Sequence, residues 1–423
     1  MRHVAVSKPL DVALTIPHRP VLSKKGRYKW DSGTKKTMWL RKRLPQPPPK
    51  VIEYSYYASL FYSTMGVAWG LNVPLLGFVM LALLAVYCVW RLGPRIIDVY
   101  APATLMLGFI MTFLLLQLLI HGETIIGDVR VFVNWGLGLV ILQALLLRHG
   151  FFHRFAWAAF ILGLCVLPYL AVQGGGTGGV ERVRVDGAGL GNPNSVGMWF
   201  GFCAVYFFIA GMEARSYRVR LASFMLGFGC VFMVGLTVSR GPMLAVAIAT
   251  TIALRRPLKR GFLSVLVLLV LSWAFYELGY FDRIIDSYVA RGSEESGREI
   301  LWPGALNLFL SEPLIGVGTS NAEIYMPSYH KYAGPHNGFL YIALASGVVP
   351  LVFYLAYWVH GFRGAFYAMA KRMPDAPFQI PLLVYALLEI LILDVALFSH
   401  WTVVVLSLAT RGTHARGKAV NSK

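Results

Sequence analysis

The chain has 423 residues, of which 57% are hydrophobic and only 14% charged, and its mean hydropathy is +0.60. That composition excludes an ordinary soluble domain, and apolar stretches close to the ~20 residues needed to cross ~30 Å of hydrocarbon recur along it. The formal charge of +19 raises the question of a nucleic-acid partner, but the placement of the basic residues makes it mainly an orientation signal.

In chain order, residues 1–53 read as a basic cytoplasmic arm with no packed core. The first 50 residues hold 13 Lys and Arg and close on the Pro-rich run 45–49. They contain no apolar h-region, so no signal peptide is expected. Apolar runs follow at 54–71, 73–90, 101–120, 131–147, 155–172, 196–212, 221–238, 242–254, 261–279, 337–360, 378–394 and 395–410. They predict an all-α integral membrane protein of about twelve transmembrane helices, with a large periplasmic loop containing short helices. The first two runs are parted only by Asn72 and Pro74 and the last two by almost nothing, so counts of about ten or eleven also fit. The expected organisation is a bundle over 54–279 with an outer loop at 173–195, a large outer loop at 280–335, further spans over 336–410 and a tail at 411–423.

Alternation from a cytoplasmic arm puts 31 of the 39 basic residues on the inside, which predicts cytoplasmic termini. Such basic segments suit anionic membrane lipids better than nucleic acid. Cys88, Cys165, Cys203 and Cys230 all fall in apolar runs without metal-ligand spacing, and read as packing residues.

Eight basic residues remain outside: Arg130, Arg182, Arg184, Arg240, Arg283, Arg291, Arg298 and Lys331. Arginine binds phosphate oxygens bidentately and stays charged, so an outer arginine cluster points to an anionic ligand. Pairing with Glu181, Asp186, Asp282 and Glu299 is the bland reading of the same residues. The outer loop from Gln173 to Ser195 is Gly-rich around Arg182 and Arg184, and ends in Asn192-Pro193-Asn194, where Asn194 or Ser195 is placed to cap the next helix. Ser239-Arg240-Gly241 interrupts two apolar runs so briefly that Arg240 must lie near the membrane surface. An arginine there faces a watery cavity, finds a partner, or snorkels. In the 280–335 loop, Ile300, Leu301, Ala305, Leu308 and Phe309 share one helical face, with Pro303 near the first turn. Tyr325, Tyr329 and Tyr332 suit either sugar stacking or the lipid interface. Finally Pro335-His336-Asn337 stands where the loop re-enters an apolar run, and an imidazole there is suited to proton chemistry.

The elements Arg184…Asn192-Pro193-Asn194, Ser239-Arg240-Gly241, Arg298-x-x-x-Trp302, Pro313-Leu314-x-Gly316-x-Gly318 and His336-Asn337-x9-Gly347 occur in this order. Together they resemble the O-antigen ligase and polymerase family of bacterial inner-membrane proteins, over about residues 180–360. One departure is Pro350, where the ligase pattern has Gly, Thr or Tyr; it leaves ligase and polymerase both open. The resemblance implies a metal-independent, inverting glycosyltransferase of the integral-membrane (GT-C) type, without a cofactor. Its donor would be a glycan on undecaprenyl diphosphate and its acceptor lipid A–core or another glycan. By position, His336 corresponds to the catalytic base and Arg240 to a second catalytic group. Arg184 and Arg298, with Arg291 and Arg182 beside them, would face the diphosphate, and Asn194, Asn337 and Gly318 would support the site.

Other classes fit parts of the pattern. A flippase or polysaccharide transporter for the same carriers would also want a cationic cavity. A general transporter would show repeat halves and mid-membrane charge, and only Glu389 and Asp394 offer the latter. A peptidoglycan polymerase of the shape, elongation and division class would need an acidic catalytic residue with no evident counterpart at 280–335.

Overall fold

A computed structural model describes residues 47–65, 76–92, 103–123, 128–165, 193–237, 239–253, 297–327, 330–373, 375–392 and 402–409, with single positions at 273, 277 and 286. The chain divides after Pro45, and everything described falls in the second unit, Gln46–Lys423. That unit is mostly helical. Its helices are α1 Lys50–Met65, α2 Leu76–Leu92, α3 Ala103–Leu115, α4 Asp128–Leu145, α5 Phe151–Leu164, α6 Pro193–Glu213, α7 Tyr217–Leu236, α8 Arg240–Ala253, α9 Arg298–Ser311, α10 Gly338–Ser346, α11 Val348–Ala370 and α12 Ala376–Ile392. A π-turn, Leu116–Ile120, extends α3, and 402–409 is also helical.

Among the described residues, Val196–Glu213 and Tyr217–Leu236 are long and apolar enough to cross a membrane. Six further apolar helices are shorter than that, among them Arg240–Ala253 and Ala376–Ile392. The expected run at 261–279 lies outside the described residues, save positions 273 and 277. Strict all-α character needs one amendment, because β1 Ile324–Met326 and β2 Lys331–Ala333 form an antiparallel hairpin in the large loop. Tyr325 faces Tyr332 across it, ring centroids 5.1 Å apart, so two of the three loop tyrosines serve a cross-strand pair.

The core is aromatic. Phe109, Phe113, Phe132, Trp135 and Tyr354 interlock between α3, α4 and α11, with Phe113 and Phe132 centroids 3.9 Å apart. Antiparallel packing of α6 on α12 sets the long axis. Near one end the Tyr385 hydroxyl donates to the Met198 carbonyl at 2.8 Å, and near the other Tyr206 stacks on Phe378 at 5.3 Å. Cys88, Cys203 and Cys230 are buried here as packing residues, and Cys165 is half-buried.

The apolar run at 337–360 is not one helix. It breaks at Gly347 (φ +75°), which ends α10 and starts α11. The turn 312–318 fills the break. Val317 N–H donates to Leu344 O at 2.8 Å, Gly318 N–H to Ala345 O at 3.1 Å, and Val348 N–H to Pro313 O at 2.9 Å. Gln117 completes the joint, its amide nitrogen donating to Ala345 O (2.8 Å) while its amide oxygen accepts from Thr319 N–H (2.9 Å). A Cβ on Gly347 would overlap the Leu314 carbonyl, and one on Gly316 (φ +70°) would lie 2.5 Å from Ser346 N. Glycine is therefore required at both places for space as well as for backbone sign. Pro350 falls in the first turn of α11, where the missing N–H costs nothing.

Gly347→Ala is expected to destabilise the protein by about 2–4 kcal/mol, from a left-handed backbone plus overpacking. Thermal unfolding in detergent checks this, with Gly229→Ala as the control because open space surrounds that position.

Candidate active site

Three separate stretches meet at the end of the bundle where α6 begins, α8 begins and α12 ends. Arg240 is the first residue of α8 and is exposed. Behind it Gly241 lies so close to α12 that a Cβ would come within 2.5 Å of Ile392 Cγ2. Arg298, the first residue of α9, reaches the same place and donates from Nη2 to the Ile392 carbonyl at 3.0 Å. Ile392 thus joins the two arginine-bearing helix starts. Asn194 is the second residue of α6 and half-buried. One turn later, Gly197 abuts Pro242 and Thr237, which brings the start of α6 against that of α8. The helix starts at Pro193, earlier than the expected caps, because proline suits a first helical turn.

A fourth stretch carries His336. Trp302 follows Arg298 by one turn of α9 and donates from its indole N–H to the Pro335 carbonyl at 2.9 Å. On the other side of the histidine, the buried Asn337 side chain accepts from Phe339 N–H and Leu340 N–H, both at 3.1 Å, and so caps α10. Between these two anchors His336 is half-buried with φ +48°, a left-handed conformation that non-glycine residues seldom adopt. Such strain persists only where surrounding contacts enforce it. His336 immediately precedes the N-cap of α10, the positive end of that helix's dipole.

On α9, Leu301 and Ala305 are buried and Leu308 and Phe309 partly so, as the spacing predicts, leaving Trp302, Leu306 and Leu310 exposed along the other face. Arg298 itself is half-buried. Burial pushes its guanidinium below the ordinary arginine value while neighbouring Glu299 opposes this, and arginine stays charged at any working pH. Its Nε has no hydrogen-bond partner among the described residues. Gly318 (φ +86°) faces His121 and Glu123 rather than the imidazole, so its place is in the turn supporting α10. Arg182, Arg184 and Arg291 lie outside the described residues.

Sequence reasoning passed over Gln117 and Glu123, and placed His121 outside the site. His121 Nε2 lies 3.1 Å from Ile315 O, and the Glu123 carboxylate accepts from Ser320 N–H (2.8 Å) and Ser320 Oγ (2.7 Å). A lone glutamine in the apolar run 103–120 was the available signal, since a buried amide must find partners.

A half-buried guanidinium, an exposed one at a neighbouring helix start, and a strained imidazole tied to the first through one turn of helix can hold an anion and take up a proton. Among the described residues no cluster of His, Cys, Asp or Glu could hold a metal ion. The class is a helical membrane protein with a cationic site at one end of its bundle. Residues 221–355, from α7 into α11, match the family described as O-antigen ligase. The matched stretch includes Arg240, Arg298, the 313–318 turn and His336; Arg182, Arg184 and Asn194 precede it. No curated protein matches the chain.

Trp302→Phe keeps the ring and removes the donor, so a loss of about 1 kcal/mol is expected, with faster amide exchange at 336–338. Thermal unfolding with hydrogen exchange checks it. Glu123 gives a second expectation. Burial works to raise its pKa, but the Ser320 hydrogen bonds and the nearby Thr319 and His121 outweigh this and hold it below the usual glutamate value. A lowered folded value means stability present above the unfolded pKa and lost as pH falls through the folded one. Glu123→Gln should therefore show a flatter decline in melting temperature below about pH 4 than the parent protein.

Proposed function

We propose that the protein is an integral-membrane glycosyltransferase that moves a glycan from undecaprenyl diphosphate to an acceptor hydroxyl at the periplasmic face. The family supports a polysaccharide ligase- or polymerase-like activity. The observation that carries the finer reading is the meeting of Arg240 and Arg298 at Ile392, with His336 tied to the same helix through Trp302.

In this reading the acceptor oxygen attacks the anomeric carbon from the face opposite the diphosphate. The new glycosidic C–O bond forms as the bond to the diphosphate oxygen breaks, which inverts the configuration. His336 takes the acceptor proton, a role for which an imidazole is suited. Diphosphate leaves as an anion, so it needs fixed positive charge more than a proton, and Arg240 and Arg298 supply it at a partly dry site. Arg184, Arg182 and Arg291 are proposed to extend this clamp, and Asn194 to support it. No metal or cofactor is required by these steps. The acceptor is lipid A–core in a ligase and a second carrier-linked glycan in a polymerase.

Charge distribution supports the orientation. Arg148, Arg154, Arg215, Arg218, Arg220, Lys371 and Arg372 gather at the other end of the bundle, as an inward face requires. About twelve spans, cytoplasmic termini and a bacterial inner membrane complete the proposal.

His336→Asn is the decisive variant, because asparagine tolerates the left-handed backbone but cannot act as the base. Purified variant protein should melt with the parent yet join carrier-linked glycan to acceptor at least about 100-fold more slowly. Turnover at the parental rate would end the assignment. Glycan joined by detergent-solubilised protein, where there is no bilayer to cross, separates this reading from a flippase.

A further inference from the structure

We propose that the end of the bundle remote from His336 carries a second anion site, a pocket of about 340 Å³ that takes a phosphate-bearing group. It is independent of the site above. His153, beside Arg154, lies 3.2 Å from Asp375 just before α12, whereas Ile392 ends that helix, so about 25 Å separates the two.

The pocket is built where α1 begins and α4 turns into α5. Glu53, the only acid among the described lining residues, has a side chain just 3% exposed and is shared by two arginines. Arg154 binds it through both fork positions, Nε to Oε1 at 2.6 Å and Nη2 to Oε2 at 3.1 Å. Arg148 Nε sits 2.8 Å from Oε2 as an ion pair, off the line of a hydrogen bond, while its Nη1 donates to the Pro48 carbonyl. The Tyr57 hydroxyl fills a further carboxylate lone pair at 2.8 Å. One carboxylate therefore holds two guanidinium groups in place and neutralises only one of them.

The surplus faces the pocket. Arg148 Nη2 has no hydrogen-bond partner among the described residues, and neither has the exposed ammonium of Lys50, one turn before Glu53 on α1. Exposed His149 completes the wall, and Tyr54, 61% exposed, stands at the rim as tyrosines do at headgroup depth. The open Nη2 of a preset guanidinium plus a mobile ammonium suits phosphate oxygens. The phosphate belongs either to an anionic lipid headgroup or to a soluble phosphate compound.

The test uses purified full-length protein and two probes. Native mass spectrometry after exposure to equal phosphatidylglycerol and phosphatidylcholine reads lipid retention, and thermal unfolding with inorganic phosphate reads the soluble source. The parent should retain phosphatidylglycerol preferentially, and Lys50→Glu should lower that preference at least about fivefold at an unchanged melting temperature. His149→Glu, also at an exposed position, should do the same. Stabilisation by phosphate that Lys50→Glu abolishes, without lipid preference, supports the soluble source. Absence of both effects in the parent, or persistence of both in the two variants, overturns the site.

Discussion

A helix broken inside an apolar bundle leaves backbone amides and carbonyls with no water to turn to, at several kcal/mol for each unmet group. The break at Gly347 is met by the 312–318 turn, whose amides reach the free carbonyls of α10 and whose Pro313 carbonyl accepts from the first amide of α11. Gln117 closes the joint from α3 by binding both sides at once. Without these bonds the lowest-energy course for 338–370 would be one continuous rod. The joint is what makes α10 a separate nine-residue helix with its own amino terminus.

That amino terminus lies beside the candidate site. Asn337 caps it, Trp302 pins the residue before the histidine, and His336 is left in a backbone conformation it would not choose alone. The same helix that supplies Trp302 supplies Arg298, whose guanidinium donates to the Ile392 carbonyl of α12. Arg240 comes to the same point because Gly241 allows α8 to start against Ile392.

Much of this was legible in the order of residues. Hydropathy marked most described helices to within a few residues, and the facing pattern of Leu301, Ala305, Leu308 and Phe309 was readable as helical spacing. Short motifs marked Arg240, Arg298, Trp302 and His336, because each places a charged or amphipathic group where an apolar run begins or ends. What spacing could not show was the partner of each motif. Gln117 and Ala345 lie 228 positions apart, and Arg298 and Ile392 lie 94 apart. The break at Gly347 was hidden for the same reason: its cause is a turn thirty residues upstream. The hairpin at 324–333 was missed because three-residue strands carry almost no periodic signal.

Helix α9 is held at two places. Its two tethers, at positions 298 and 302, sit a single turn apart and pull toward different neighbours, one toward α12 and one toward the loop before α10. A rod held twice on one side cannot roll about its own axis. Adding or removing one residue between the tethers would swing the second through roughly 100°, away from its acceptor. The three-residue interval in Arg298-x-x-x-Trp302 is thus a gauge of rotational phase, and what occupies the interval matters less than its length.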